Sequence, residues 1–253
     1  MKQTLTAAVG CKIGKVRTNN EDNFYFDDKT LKEVNTGLKR TKCCRFNSED
    51  ALFAIFDGMG GEVCGETASC LAASAVKPCL KQGKKEKLEP EQLLQVMCLT
   101  MNEIICKKMR QIRGRMGSTA VMLLFRGQTA YVFNLGDSRA FLLRDGKLEQ
   151  ISEDHTDEKT NLSLGIKRKP RLTQHLGVFP EELQLEPYVE KYELQAGDRY
   201  LLCSDGLTDM LTEEEICTIM TQSADPTQCV DKLMDTAMDR GGKDNTTIMI
   251  CEV

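Results

Sequence analysis

Ala51-Leu52-Phe53-Ala54-Ile55-Phe56-Asp57-Gly58-Met59-Gly60-Gly61 joins six apolar residues to one acid and then to three glycines in four positions. The apolar run predicts a buried strand. It delivers the Asp57 carboxylate at its end, followed by backbone that a missing Cβ leaves free to turn and open to close approach. An acid beside accessible backbone carbonyls suits a hard cation, which takes oxygen ligands. On its own the stretch reads first as a tight turn capped by Asp57. Only acids placed elsewhere in the chain can make it a site.

Working outward, residues 4–13 and Asn23–Phe26 read as strands before Ala51–Phe56, with a polar excursion over Asp27–Asn47. A small-residue helical pattern runs from Gly65 to about Val76, and Pro78 reads as its stop. Residues 82–87 read as a polar linker. A second helix is expected from Pro90 to Ile112, where Leu93, Leu94, Met97, Met101, Ile105 and Met109 recur at helical spacing. From Gly117 the period changes to strands at 119–125, 129–134, 140–143 and 148–151, with Arg126-Gly127 and Asp145-Gly146 as turns. Tyr188–Leu194, Arg199–Cys203 and Thr246–Val253 are further strands. Thr212 with Glu215 forms a capping-box signature, and Pro226 opens a last helix. Strands, two helices, a meander, two helices and a strand argue an α+β fold. The order fits a β-sandwich of two mainly antiparallel sheets flanked by paired antiparallel helices, in one domain over 1–253.

The totals limit the function. Hydrophobic residues are 41% and charged residues 28% of 253, an ordinary globular balance. A net charge of −4 argues against a dedicated nucleic-acid binder. Trp is absent and aromatics are 6%, too few for single-strand stacking platforms. Twelve cysteines include no C-x-x-C pair, so zinc-ribbon and thioredoxin-type motifs are not supported. Cys43-Cys44 reads as plain thiols in a surface hairpin. The N-terminal stretch is a poor signal peptide and no run has the apolar length of a membrane span. A reduced, cytoplasmic protein is expected.

Four further acidic positions share the strand-end setting of Asp57. They are Asp137 in Gly136-Asp137-Ser138-Arg139, Asp205 in Cys203-Ser204-Asp205-Gly206, Asp244 in Lys243-Asp244-Asn245, and the pair Glu21-Asp22. Each alone is turn chemistry. Converging on one edge they would repel, and divalent cations would compensate. An oxygen-only set favours Mg²⁺ or Mn²⁺ over Zn²⁺ or copper. His155 and His175 have no partner at metal-ligand spacing and read as surface or hydrogen-bonded histidines.

Taken in order, Arg17-Thr18-Asn19-Asn20-Glu21-Asp22, Asp57-Gly58-Met59-Gly60-Gly61, Gly117-Ser118-Thr119-Ala120, Gly136-Asp137-Ser138-Arg139, Leu172-Thr173-Gln174-His175-Leu176-Gly177, Ser204-Asp205-Gly206-Leu207 and Asp244-Asn245-Thr246-Thr247 resemble the metal-dependent Ser/Thr protein phosphatases (the PPM or type 2C family), in the bacterial branch. The resemblance implies a helix-flanked β-sandwich and hydrolysis of phosphoserine and phosphothreonine. It implies two Mn²⁺ or Mg²⁺ ions, with Asp57 bridging them, the Gly58 carbonyl completing the first, and Asp205 and Asp244 holding the second. Asp137 with Asp205 would match a third, weaker metal site. Glu21 and Asp22 would orient water, and Arg17 would bind the substrate phosphate. Such chemistry needs no protein nucleophile. The implied partners are phosphoproteins and a Ser/Thr kinase or its substrates, with no nucleic acid or membrane; a monomer is expected.

The chain departs from the pattern twice. Met59 stands where many eukaryotic members carry a His, a candidate general acid, and Met cannot donate a proton. The flap-like segment 155–173 is short and carries the basic run Lys167-Arg168-Lys169-Pro170-Arg171. That run reads as a solvated loop or as a rim attracting acidic phosphopeptides. The competing functions are a non-catalytic pseudophosphatase used as a binding module and a phosphatase of small phosphomonoesters.

Overall fold

Four residues of the opening stretch settle two faces of one strand. In the computed structural model, which describes residues 4–46, 50–59 and 64–253, β4 (Asp50–Met59) turns Ala54 and Phe56 toward one apolar cluster and Phe53 and Ile55 toward another. A strand buried on both faces must be central and covered twice. Gly60 and Gly61 lie outside the described residues.

Two antiparallel sheets form the sandwich. One runs β10 (Tyr188–Glu193), β7 (Thr129–Leu135), β6 (Ala120–Arg126), β4, β2 (Asp22–Tyr25), with the short β5 (Gly117–Ser118) paired to the end of β4. The other runs β3 (Lys42–Phe46), β1 (Leu5–Lys12), β12 (Thr246–Glu252), β11 (Arg199–Cys203), β8 (Arg139–Arg144), β9 (Lys147–Gln150). The α+β sandwich expected from the sequence is the observed one. Between the sheets, rings meet edge-on in a chain: Phe46–Phe53 at 5.0 Å, Phe53–Phe125 at 5.9 Å and Phe125–Tyr200 at 5.4 Å. Such contacts add to the burial of the rings.

Helices α1 (Gly65–Glu86) and α2 (Pro90–Ile112) cover the outer face of the β4 sheet, where Ala72, Val76, Leu94, Met97 and Met101 are buried. Helices α5 (Glu213–Gln222) and α6 (Pro226–Asp239) cover the other sheet through Ile216, Met220, Val230 and Leu233. Thr212 accepts from the Glu215 amide as the capping box requires. The α2 methionines are core, as their spacing indicates.

Three expectations change. Helix α1 does not stop at Pro78 but runs through it to Glu86, taking in the supposed linker. Pro78 and Ser74 face solvent, so water can take the carbonyl that proline leaves unbonded, while Val76, Cys79 and Gly83 continue the buried stripe. The polar excursion hides β3, which pairs with β1 and so makes Cys43-Cys44 part of an edge strand rather than a hairpin. Its sequence lacks the alternation of a half-buried strand, and pairing with an open sheet edge decides its state. The flap, irregular by its sequence pattern, carries a short helix, α3 (Glu158–Ser163).

Candidate metal and phosphate site

The carboxylates converge because of strand direction. Strands β4 and β11 end, and β2 and β12 begin, at the same edge of the sandwich. Asp22 pairs directly with Asp57 across β2 and β4. Asp205 opens the short helix α4 (Asp205–Thr208) straight after β11, Asp244 precedes β12, and Asp137 sits in the turn from β7 to β8 that crosses between the sheets.

Asp22 is fully buried and ties the two sheets together. Its Oδ2 accepts from Ser204 Oγ at 2.8 Å and Thr247 Oγ1 at 2.6 Å. Its Oδ1 is buried with no hydrogen-bond partner among the described residues. Burial pushes the Asp22 carboxyl up to about 7, against the pull of the two hydroxyls. Asp57 is held well above the usual carboxylate range, first by burial and then by Asp22, Asp205, Asp137 and Asp244. Asp137 is pushed up to about 6 by burial and Asp205, and burial also raises Asp205. These shifts record first the burial of the acids and second their repulsion of one another.

The arrangement fits a hard cation. Its donors are carboxylate and backbone oxygens, and one buried carboxylate oxygen has no other use. Among the described residues no three His, Cys, Asp or Glu side chains close on a single point. The protein's own cations also reach it. Arg17 Nη2 donates to Asp244 Oδ2 at 2.6 Å, and Lys169 Nζ lies 3.0 Å from Asp205 Oδ2 and 3.1 Å from Asp209 Oδ2. Arg17 remains half-exposed, and its other N–H groups have no partner among the described residues. Glu21 turns its carboxylate toward the first turn of α1, against Gly65, while its carbonyl accepts from the Gly58 amide at 3.0 Å.

The Protein phosphatase 2C family model matches residues 40–240 of this chain. It belongs to that family. A serine/threonine protein phosphatase, PstP, of Mycobacterium tuberculosis is 32% identical over 248 residues, covering 95% of this chain and 43% of its own length. The chain thus spans less than half of that relative. The serine/threonine phosphatase stp of Listeria monocytogenes is 28% identical over 255 residues, covering 94% of this chain and 92% of its own. Among solved structures, the catalytic domain of PstP in complex with two manganese ions superposes with a TM-score of 0.76 at 30% identity, over 99% of both chains.

Several residues that shape this type 2C site carry no role in the sequence reading. Asn245 clamps the segment bearing Arg17, Glu21 and Asp22 to the start of β12. It accepts from the Glu21 amide at 2.7 Å and donates to the Ile13 and Asn19 carbonyls, each at 2.9 Å. Thr119 fixes Asp57, accepting from its amide at 3.0 Å and donating its own amide to its carbonyl at 2.8 Å. Both lie inside the quoted motifs, so the signal was present, but only the folded chain supplies their partners. The basic run is not all solvated: Arg168 pairs with Asp157 and Lys169 with Asp205 and Asp209. His155 is hydrogen-bonded as expected, its Nδ1 accepting from the Gly136 amide at 3.2 Å.

Proposed function

We propose that this chain is an Mg²⁺- or Mn²⁺-dependent phosphatase of phosphoserine and phosphothreonine in proteins, built as a single phosphatase domain. The observation that carries the reading is the buried, mutually repelling group Asp22, Asp57, Asp137 and Asp205, drawn from both sheets to one edge. The name of the Listeria relative, matched over nearly its whole length, supports it.

In this reading Asp57, the Gly58 carbonyl, Asp205 and Asp244 hold two ions, and Asp137 with Asp205 holds a third. The ions, when bound, supply an activated water and offset charge on the phosphoryl group. Asp22 and Glu21 orient water, and the free N–H groups of Arg17 take phosphate oxygens, for which a guanidinium fork is suited. The protein works as a cytoplasmic monomer and opposes a Ser/Thr kinase. The test is turnover of a phosphothreonine peptide with Mn²⁺. Asp57→Asn and Asp205→Asn should abolish it, and a parent protein inert with every divalent metal would refute the reading.

A further inference from the structure

A phosphoserine alkoxide leaves phosphorus badly unless it receives a proton, and a positioned acid is needed to give it one. Met59, which flanks Asp57, has no proton to give. A histidine from a distant segment lies beside it.

Residues 58 and 59 of β4 pair with Ser118 and Gly117 of β5. Ser118 in turn exchanges backbone hydrogen bonds with Leu176, 3.2 and 2.8 Å long. His175 is therefore one step beyond β5 from the Asp57 strand. A Cβ placed on Gly117 would meet the His175 ring, with Nδ1 at 2.8 Å and Cε1 at 3.3 Å. Gly117 is thus the bare position that lets the imidazole lie over β5. Directly paired residues of an antiparallel ladder point to one face, and residues two apart along a strand share a face. The ring, at the Cβ position of Gly117, is consequently on the face that carries the Met59 and Asp57 side chains. Two residues along the strand and one strand across place it roughly 8 Å from Asp57. His175 and Met59 line the same cleft, about 590 Å³ in volume. His175 is half-buried, and Nδ1 lies 2.8 Å from the Leu176 carbonyl, a bond that fixes Nδ1 as the donor there. Nε2 is left without a partner among the described residues. The charged groups of the cleft, Arg115 and Glu182, are paired with each other.

We propose that His175 is the proton donor to the leaving seryl or threonyl oxygen; the inference rests on the phosphatase reading above. A water oxygen bonds to phosphorus as the P–Oγ bond breaks. The bonding pair goes to Oγ, and the Nε2 proton of imidazolium moves onto it. The products are inorganic phosphate and the free hydroxyl side chain, and solvent returns a proton to the ring.

The experiment compares a phosphoserine peptide with 4-nitrophenyl phosphate, whose phenolate leaves without a proton, in the parent, His175→Gln and Met59→His/His175→Gln. His175→Gln should lower peptide turnover about 10²-fold, with at least tenfold less loss on the aryl ester. Met59→His in that background should restore part of the peptide rate. An unchanged Mn²⁺-induced rise in melting temperature shows that the variant is folded and binds metal. Equal losses on both substrates, or no loss on the peptide, would overturn the assignment to His175. A parent inactive on both esters would instead overturn the phosphatase reading itself.

Discussion

Gly58 carries a demanding packing constraint at the site. A Cβ there would lie 2.1 Å from the Gly65 carbonyl oxygen, 2.5 Å from its carbon and 2.6 Å from the Glu21 oxygen. All three are backbone atoms from two different segments, so no rotamer change relieves them. Gly58→Ala must push the end of β4 away from both the start of α1 and the strand that carries Asp22. Overpacking of this kind costs about 3 kcal/mol. In a domain of this size that lowers Tm by roughly 6–12 °C. Gly10→Ala is the comparison. Its Cβ would also be close, 2.8 Å from Val230 Cγ1, but that neighbour is a side-chain methyl that can move. It should cost about 1 kcal/mol or less. Calorimetry of the parent and both variants, with and without Mn²⁺, reads the difference. Gly58→Ala should also lose much of the metal-induced rise, because Asp57 and Glu21 move with the strand. Equal melting temperatures for the two variants, or a Gly58→Ala protein within a degree or two of the parent, would refute the reasoning.

Two further outcomes concern charge. The folded Asp22 carboxyl titrates at about 7, against about 3.9 in an unfolded chain. The native state therefore binds the extra proton between these values, and stability in EDTA should fall as pH rises from about 4 to 7 and then level off. Urea midpoints across that range should fall more steeply for the parent than for Asp22→Asn; parallel curves would show that Asp22 is not the group responsible. Asp198 is almost fully buried and accepts from Arg144 Nε at 2.8 Å and Nη2 at 2.6 Å, and from the Gln195 amide at 2.8 Å. Asp198→Ala leaves Arg144 Nε and the Gln195 amide without this acceptor, while Arg144 Nη2 keeps the Glu193 carbonyl at 2.7 Å, and should cost about 3 kcal/mol, read as a shift in urea midpoint; a loss below about 1 kcal/mol would place Asp198 among ordinary surface ion pairs.

The elements legible in the sequence are those whose signal is local. The β4 run, the α2 heptad-like pattern from Pro90 to Ile112 and the Thr212–Glu215 cap are periodicities and caps, and each is observed. The acids were legible for the same reason, since each stands at the end of a readable strand. Tertiary structure decided what depends on a distant partner. Helix α1 passes Pro78 because its buried stripe continues against β4 and α2, and β3 exists because β1 offers an open edge. Asp57 is a turn residue in the sequence. It becomes the centre of a repelling carboxylate group only where antiparallel strands from two sheets end together. His175, a bland histidine by spacing, comes beside Met59 only because β5 lies between their segments. Spacing along the chain records local geometry, whereas repulsion and proton transfer depend on distances that only folding sets.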